Sequence, residues 1–341
     1  MYFNRGCAAA VVAACVLAAH GEPQHLPGAR PASLPGFRIE GRFGEQVVTY
    51  RWGEDVSVLI NAPPPEGFDP GRPTRLVLYA LPNGNTIGQT IGRRLGPGVD
   101  WHFGIQHIGA QTRYLREFLR EENLVVAYLE NDLKSWPAWK TKHAPYAEPI
   151  RRIVESVQER LGVPAAAIEL TAHSGGGGFV FGYIEGAEAI PDRVRRIAFL
   201  DANYGFADAL RHGERLVEWL RRGRDHVLVV LAYDDRNITV DGKLVVGPDG
   251  GTYRKTLRMI ERIGRDIPLT GTTAGELKRW RGLEGRVDVI IHTNPQNRIL
   301  HTALVGQMNG FIHCLSVGSR HENTVARFGA PVAYERWIAP E

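Results

Sequence analysis

Cysteine is almost missing from this chain: there are three, Cys7, Cys15 and Cys314, and two of them lie in the first 21 residues. If that leader is removed, Cys314 stands alone and no disulfide can form within the chain, so a packed core must hold the fold. Long apolar runs are missing too. The most apolar stretch, Ala8 to Ala19, is too short to span a bilayer as a stable anchor. The formal net charge of +4 comes from scattered pairs such as Arg93-Arg94, Arg151-Arg152 and Arg221-Arg222, with no basic block interleaved with aromatics, which argues against a nucleic-acid partner. His102, His107 and His143 fit no compact ligand spacing, so neither a metal nor any other cofactor is expected.

The two ends of the chain differ in character. In residues 1–21, Arg5 precedes the alanine-rich core and Ala19-His20-Gly21 offers small residues for cleavage, the pattern of a bacterial export signal. The expected destination is secreted or periplasmic. Val12-Ala13-Ala14-Cys15 also matches a lipoprotein box, although the apolar run continues past Cys15 to Ala19, where a lipoprotein usually turns polar. Residues 22–35, rich in Pro, Gly and Ala, read as a linker. The remainder, 36–341, has the length and composition of one soluble α/β domain: 43% hydrophobic and 23% charged residues.

Within that domain three short strands are expected at Phe37–Phe43, Gln46–Trp52 and Val56–Ile60, an antiparallel lead-in. Apolar runs at Leu76–Leu81, Leu124–Leu129, Ile168–Ala172, Arg196–Asp201, Val227–Tyr233 and Val287–Ile291 then alternate with helical patterns, as a parallel sheet requires. The intervening helices are expected near 105–121, 149–161, 207–221 and 252–263, with another opening at His301. ITVDGKLVV, with Asp241-Gly242 at its turn, reads as a hairpin, part of a small cap insertion near 236–252.

The most informative stretch is IELTAHSGGGGFVFG, residues 168–182. It reads as strand, sharp turn and helix, with Ser174 at the turn and four glycines behind it. A glycine run there could instead cradle a phosphate, but no lysine follows it, and a dinucleotide fingerprint would stand early in the chain. A serine so placed is raised clear of the sheet, beside the N–H groups of the next helix. Its hydroxyl needs a base to attack a carbonyl, and that base needs a carboxylate to hold its tautomer.

This stretch resembles the nucleophile elbow of the α/β-hydrolase superfamily, G-x-S-x-G, with Ala172 in place of the first glycine. The resemblance covers roughly residues 75–316 and implies an α/β-hydrolase fold, a mostly parallel sheet with helices on both faces. It also implies a catalytic triad in the chain order serine, acid, histidine, with each member following a core strand. Ser174, Asp235 and His301 occur in that order. Asp234 adjoins Asp235, and Asp201 ends the preceding strand, a position that some lipases use; the order of preference is Asp235, Asp234, Asp201. His292 falls inside a strand and His313 inside a helix, which leaves His301 as the base. His173 points away from the serine by strand alternation.

The same resemblance places an oxyanion hole at the N–H of Gly175 and in the loop after the first core strand, Asn83, Gly84 or Asn85. Trp136 and Trp139, in KSWPAWK, either pack the cap or line a substrate cleft, packing being preferred. The implied activity is an exported serine hydrolase acting on a small-molecule or polymer carboxylic ester, less often an amide. The alternative is a non-catalytic binding protein of the same fold, since fold alone does not fix function.

Overall fold

The computed structural model describes residues 33–340; the expected export signal, the lipoprotein cysteine and most of the linker lie outside the described residues. The chain opens with β1 (Arg38–Glu40), β2 (Glu45–Trp52) and β3 (Val56–Ala62). It continues through β4 (Thr74–Ala80), α1 (Ile87–Ile91), α2 (Ile108–Phe118), β5 (Asn123–Asn131), α3 (Trp136–Lys142), α4 (Ala147–Leu161), β6 (Ala167–His173), α5 (Gly177–Glu185) and β7 (Val194–Leu200). Then come α6 (His212–Arg222), β8 (Val227–Tyr233), the hairpin β9 (Thr239–Val240) and β10 (Lys243–Leu244), α7 (Thr252–Gly264), β11 (Thr270–Ala274), β12 (Leu277–Gly282), β13 (Val287–His292) and α8 (Gly310–Ser316).

All strands but the hairpin form one sheet of eleven, in the order β1-β2-β3-β5-β4-β6-β7-β8-β13-β12-β11. The six strands from β5 to β13 pair in parallel, and antiparallel strands extend both flanks. A largely parallel sheet with an antiparallel lead-in and helices on both faces is the α/β-hydrolase fold.

Side-chain alternation along β4 explains why both faces must be covered. Leu76, Leu78 and Ala80 enter one core with residues of α3, α4, α5, α6 and α7, whereas Val77, Tyr79 and Leu81 enter the other with α2 and α8. The chain runs from β4 to β5 on one side and back past β4 to β6 on the other, so the strand order reverses at β4. In open α/β sheets such a reversal leaves a crevice at the carboxyl ends of the strands, where ligands bind.

One ionic cluster crosses the sheet beneath α8. Arg75 on β4 grips Glu169 on β6 through Nε (2.7 Å) and Nη2 (2.9 Å), and Arg196 on β7 approaches it from the other side at 3.6 Å. Both arginines also donate to carbonyls at the end of α8, Arg75 to Leu315 at 2.7 Å and Arg196 to Cys314 and Val317 at 2.9 Å, which satisfies groups that a helix terminus leaves open. Burial alone would push Glu169 up, but the two guanidinium groups outweigh it and hold the carboxyl below its usual range. Glu169→Gln leaves two buried cations under-compensated and is expected to lower stability by about 3–5 kcal/mol. Urea unfolding checks this; a loss under 1 kcal/mol would show that the helix carbonyls alone suffice.

Two expectations about elements need correction, and two strands are added to those expected. The run from His301 to Asn309 is a series of turns, and α8 begins only at Gly310. The His301 carbonyl accepts from His173 Nε2 at 3.1 Å, and Asn309 sits at φ +56°, which restarts the chain direction before the helix. The helix expected from 207 starts at His212, because residues 203–205 and 208–210 are short 3-10 turns. The sheet also continues past β13 into β12 and β11; β11, Thr-rich and exposed throughout, has no apolar alternation to reveal it.

Candidate active site

Ser174 follows β6 directly and has φ +53°. A side chain in this left-handed region is disfavoured by roughly 1–2 kcal/mol, so packing must hold it there. The glycines behind it provide that packing. A Cβ on Gly175 would lie 1.9 Å from Asn83 Oδ1, and one on Gly177 would lie 1.7 Å from the Ala202 carbonyl oxygen. The start of α5 is thus wedged between the loop after β4 and the loop after β7, closer than any side chain allows. Ala172, standing where the motif usually has glycine, is fully buried between Ala80 and Phe199 of the neighbouring strands.

The register of β6 with β7 pairs His173 with Leu200, so the next residues, Ser174 and Asp201, leave adjacent strand ends side by side. Asp201 takes the same kind of turn, φ +48°, and is fully buried. Its Oδ2 lies 2.5 Å from His301 Nδ1. A carboxylate facing Nδ1 keeps the proton on that nitrogen and leaves the Nε2 lone pair free. His301 is held from behind as well. The buried ring of His173 packs 4.6 Å from its ring, centroid to centroid, and donates from Nε2 to its carbonyl. Burial, reinforced by His301, pushes His173 well below its usual value and keeps it neutral.

The carboxylate on His301 therefore belongs to Asp201, and the preference for Asp235 is corrected. Asp235 lies two residues past β8, is buried, and accepts from the backbone N–H of Thr252 at 2.8 Å. Asp234, the second choice, is engaged by Arg236 at 2.7 and 2.9 Å. Thr252 makes the difference. It opens α7 on the side facing β7, and its hydroxyl donates to Asp201 Oδ1, the oxygen that His301 does not use. One turn later Thr256 Oγ1 accepts from Asn203 Nδ2 at 2.9 Å, tying the Asp201 loop to the same helix face.

Of the oxyanion candidates, Gly175 occupies the first turn after the elbow, where N–H groups have no intrahelical acceptor. Asn83 packs against it. Gly84 drops out, because its N–H already donates to the Lys134 carbonyl at 2.9 Å. Asn85 is turned inward, its N–H directed to the Pro82 carbonyl at 3.4 Å.

Trp136 and Trp139 are 1% and 0% exposed, so they line no cleft. Trp136 meets Phe179 of α5 edge-on at 4.7 Å, and Trp139 donates to Asp55 at 3.1 Å. His292 and His313 are paired elsewhere, with Glu276 at 3.2 Å and with Asp288 at 2.7 Å. Among the described residues, no three His, Cys, Asp or Glu side chains are arranged to hold a metal, and no helix is long and apolar enough to cross a membrane.

No protein-family model matches the chain, and no curated protein does. Among solved structures it is similar to a thermostable esterase at 16% identity, with 76% of this chain and 59% of that one covered and a TM-score of 0.42. It is also similar to a glucuronoyl esterase from Solibacter usitatus at 14% identity, covering 80% of this chain and 83% of that one with a TM-score of 0.42. A siderophore hydrolase from Aspergillus nidulans matches at 12% identity over 83% of this chain and 95% of its own, with a TM-score of 0.41. This chain spans less than two thirds of the length of the thermostable esterase. The fold assignment rests on the strand order, which is independent of these likenesses.

Proposed function

We propose that this chain is a serine hydrolase that cleaves a carboxylic ester through an acyl-enzyme, with Ser174 as nucleophile, His301 as base and Asp201 as the acid that orients it. The observation that carries the reading is a serine held at φ +53° on a strand-to-helix turn, one strand from an aspartate whose carboxylate lies 2.5 Å from the Nδ1 of a half-buried histidine. In this reaction His301 Nε2 takes the Ser174 proton as Oγ attacks the ester carbonyl. The oxygen of the tetrahedral intermediate gathers negative charge beside the Gly175 N–H, with Asn83 the nearest residue of the opposite loop. The C–O bond to the alcohol then breaks, and His301 returns the proton to the leaving oxygen. Water repeats the sequence on the acyl group and frees Ser174.

Leu133, Tyr204 and Ile299, from the loops after β5, β7 and β13, are 44%, 38% and 59% exposed at the same end of the sheet, which suits an ester with an apolar flank. Residues 1–21 read as an export signal, so this substrate would be met outside the cytoplasm.

A fluorophosphonate tests the reading. One covalent adduct per chain, formed together with loss of p-nitrophenyl acetate hydrolysis, is expected. A folded chain that binds esters without turnover and ignores the probe would instead be a binding protein.

A further inference from the structure

The mechanism above leaves Asp235 without a part, although it is built into the same site. It is 2% exposed, and its Oδ1 has no hydrogen-bond partner among the described residues, while Oδ2 accepts from Thr252 N–H at 2.8 Å. The Thr252 hydroxyl lies between two carboxylates: it donates to Asp201 Oδ1 and stands 3.5 Å from Asp235 Oδ2. An unbroken path of contacts thus runs from His301 through Asp201 and Thr252 to Asp235, linking β7, β8, α7 and the turn after β13.

Resting on the function proposed above, we infer that Asp235 is a positioning residue of the same reaction: it fixes the first turn of α7, so that the Thr252 hydroxyl orients the Asp201 carboxylate on His301, and its charge acts on that pair from behind. Burial and the neighbouring charge of Asp201 push Asp235 up to about 6, so above that pH a second negative charge stands behind the imidazole. Backbone N–H groups of Thr252, Asp235 and Tyr253 oppose the rise, but no cation among the described residues compensates the charge. Tyr204 and Tyr233 face both carboxylates and stay neutral, since burial and the two charges push their phenols up. Arg236, the nearest cation on the chain after β8, is engaged by Asp234, and Arg254 of α7 donates to the carbonyls of Gly247 and Gly250.

An anionic Asp235 favours positive charge on its side of the site, so removing that charge should move the acid limb of the pH–rate profile down.

The test is the pH profile of kcat/KM on p-nitrophenyl acetate, with melting curves, for Asp235→Asn and Thr252→Val beside Ser174→Ala. Asp235→Asn retains an oxygen to accept from Thr252 N–H. It should melt close to the parent and keep activity within about 10-fold at pH 8, with its acid limb moved down by about half to one pH unit. Thr252→Val keeps the N–H but removes the hydroxyl, and should lower kcat about 10-fold with KM little changed.

An acid limb superimposed on the parent's, with full kcat in Thr252→Val, would make Asp235 a helix cap only and overturn the inference. So would an Asp235→Asn variant as inactive as one lacking the acid. Should Asp235→Asn fail to fold, the kcat of Thr252→Val decides. Activity surviving in Ser174→Ala marks a different failure, that of the serine mechanism itself.

Discussion

Ser174→Ala is expected to abolish ester hydrolysis, lowering kcat by roughly 10⁴- to 10⁶-fold, while the protein folds as before. The hydroxyl is the only group removed, and the half-buried elbow loses almost no packing. The backbone supplies a second, independent signature. Because Ser174 sits at φ +53°, glycine would occupy the position without the penalty that a Cβ incurs. Ser174→Gly should therefore be equally inactive yet melt no lower than Ser174→Ala, with the relieved strand-end turn, about 1 kcal/mol, set against the greater freedom of glycine when unfolded. Circular dichroism melts with initial rates on p-nitrophenyl acetate check both variants. Turnover within 10-fold of the parent in either one would remove Ser174 from the chemistry.

The second large effect is expected at Asp201. Asp201→Asn keeps shape and volume, but its carboxamide can present an N–H to His301 Nδ1, which favours the wrong tautomer and takes away the counter-charge of the imidazolium. The rate near neutral pH should fall by about 10⁴-fold. Asp234→Asn should change it little, since that carboxylate is spent on Arg236. Steady-state rates at one pH separate the two. If Asp201→Asn works normally, the 2.5 Å contact with His301 is structural and the base is oriented by another group.

Much of this architecture was legible in the residues themselves. The strand, sharp turn and helix around Ser174 could be read from an apolar run that ends in a serine and four glycines; the close approaches at Gly175 and Gly177 are the physical reason for two of those glycines. His292 and His313 could be set aside as strand and helix residues, and both do pair elsewhere. The carboxylate that faces His301 could not be chosen in the same way. Asp201 and Asp235 each closely follow a core strand, one strand apart, and what selects between them is where α7 begins. The Thr252 hydroxyl, 51 residues from Asp201 in sequence, binds the carboxylate of one, and its N–H the carboxylate of the other.

The loop after β4 shows the same limit. Asn83, Gly84 and Asn85 look alike as turn formers until the Lys134 carbonyl claims the Gly84 N–H. The two tryptophans after β5 are buried for an equally non-local reason: α3 folds back onto Phe179, beside the elbow it supports. Edge strand β11 and its neighbour β12 stayed hidden because β11 is exposed and polar and β12, Leu-Lys-Arg-Trp-Arg-Gly, is mostly half-buried, so neither carries an alternation of apolar residues to read.

The central claim, that Ser174 is the nucleophile of an acyl-transfer reaction, is tested most directly by locating the fluorophosphonate adduct. The protein is treated with the probe until hydrolysis ceases, digested, and the modified peptide sequenced by mass spectrometry. The account predicts a single adduct on Ser174, absent from Ser174→Ala and slowed in Asp201→Asn, where the base is poorly held. An adduct on any other serine, or full inactivation with Ser174 unmodified, would contradict it.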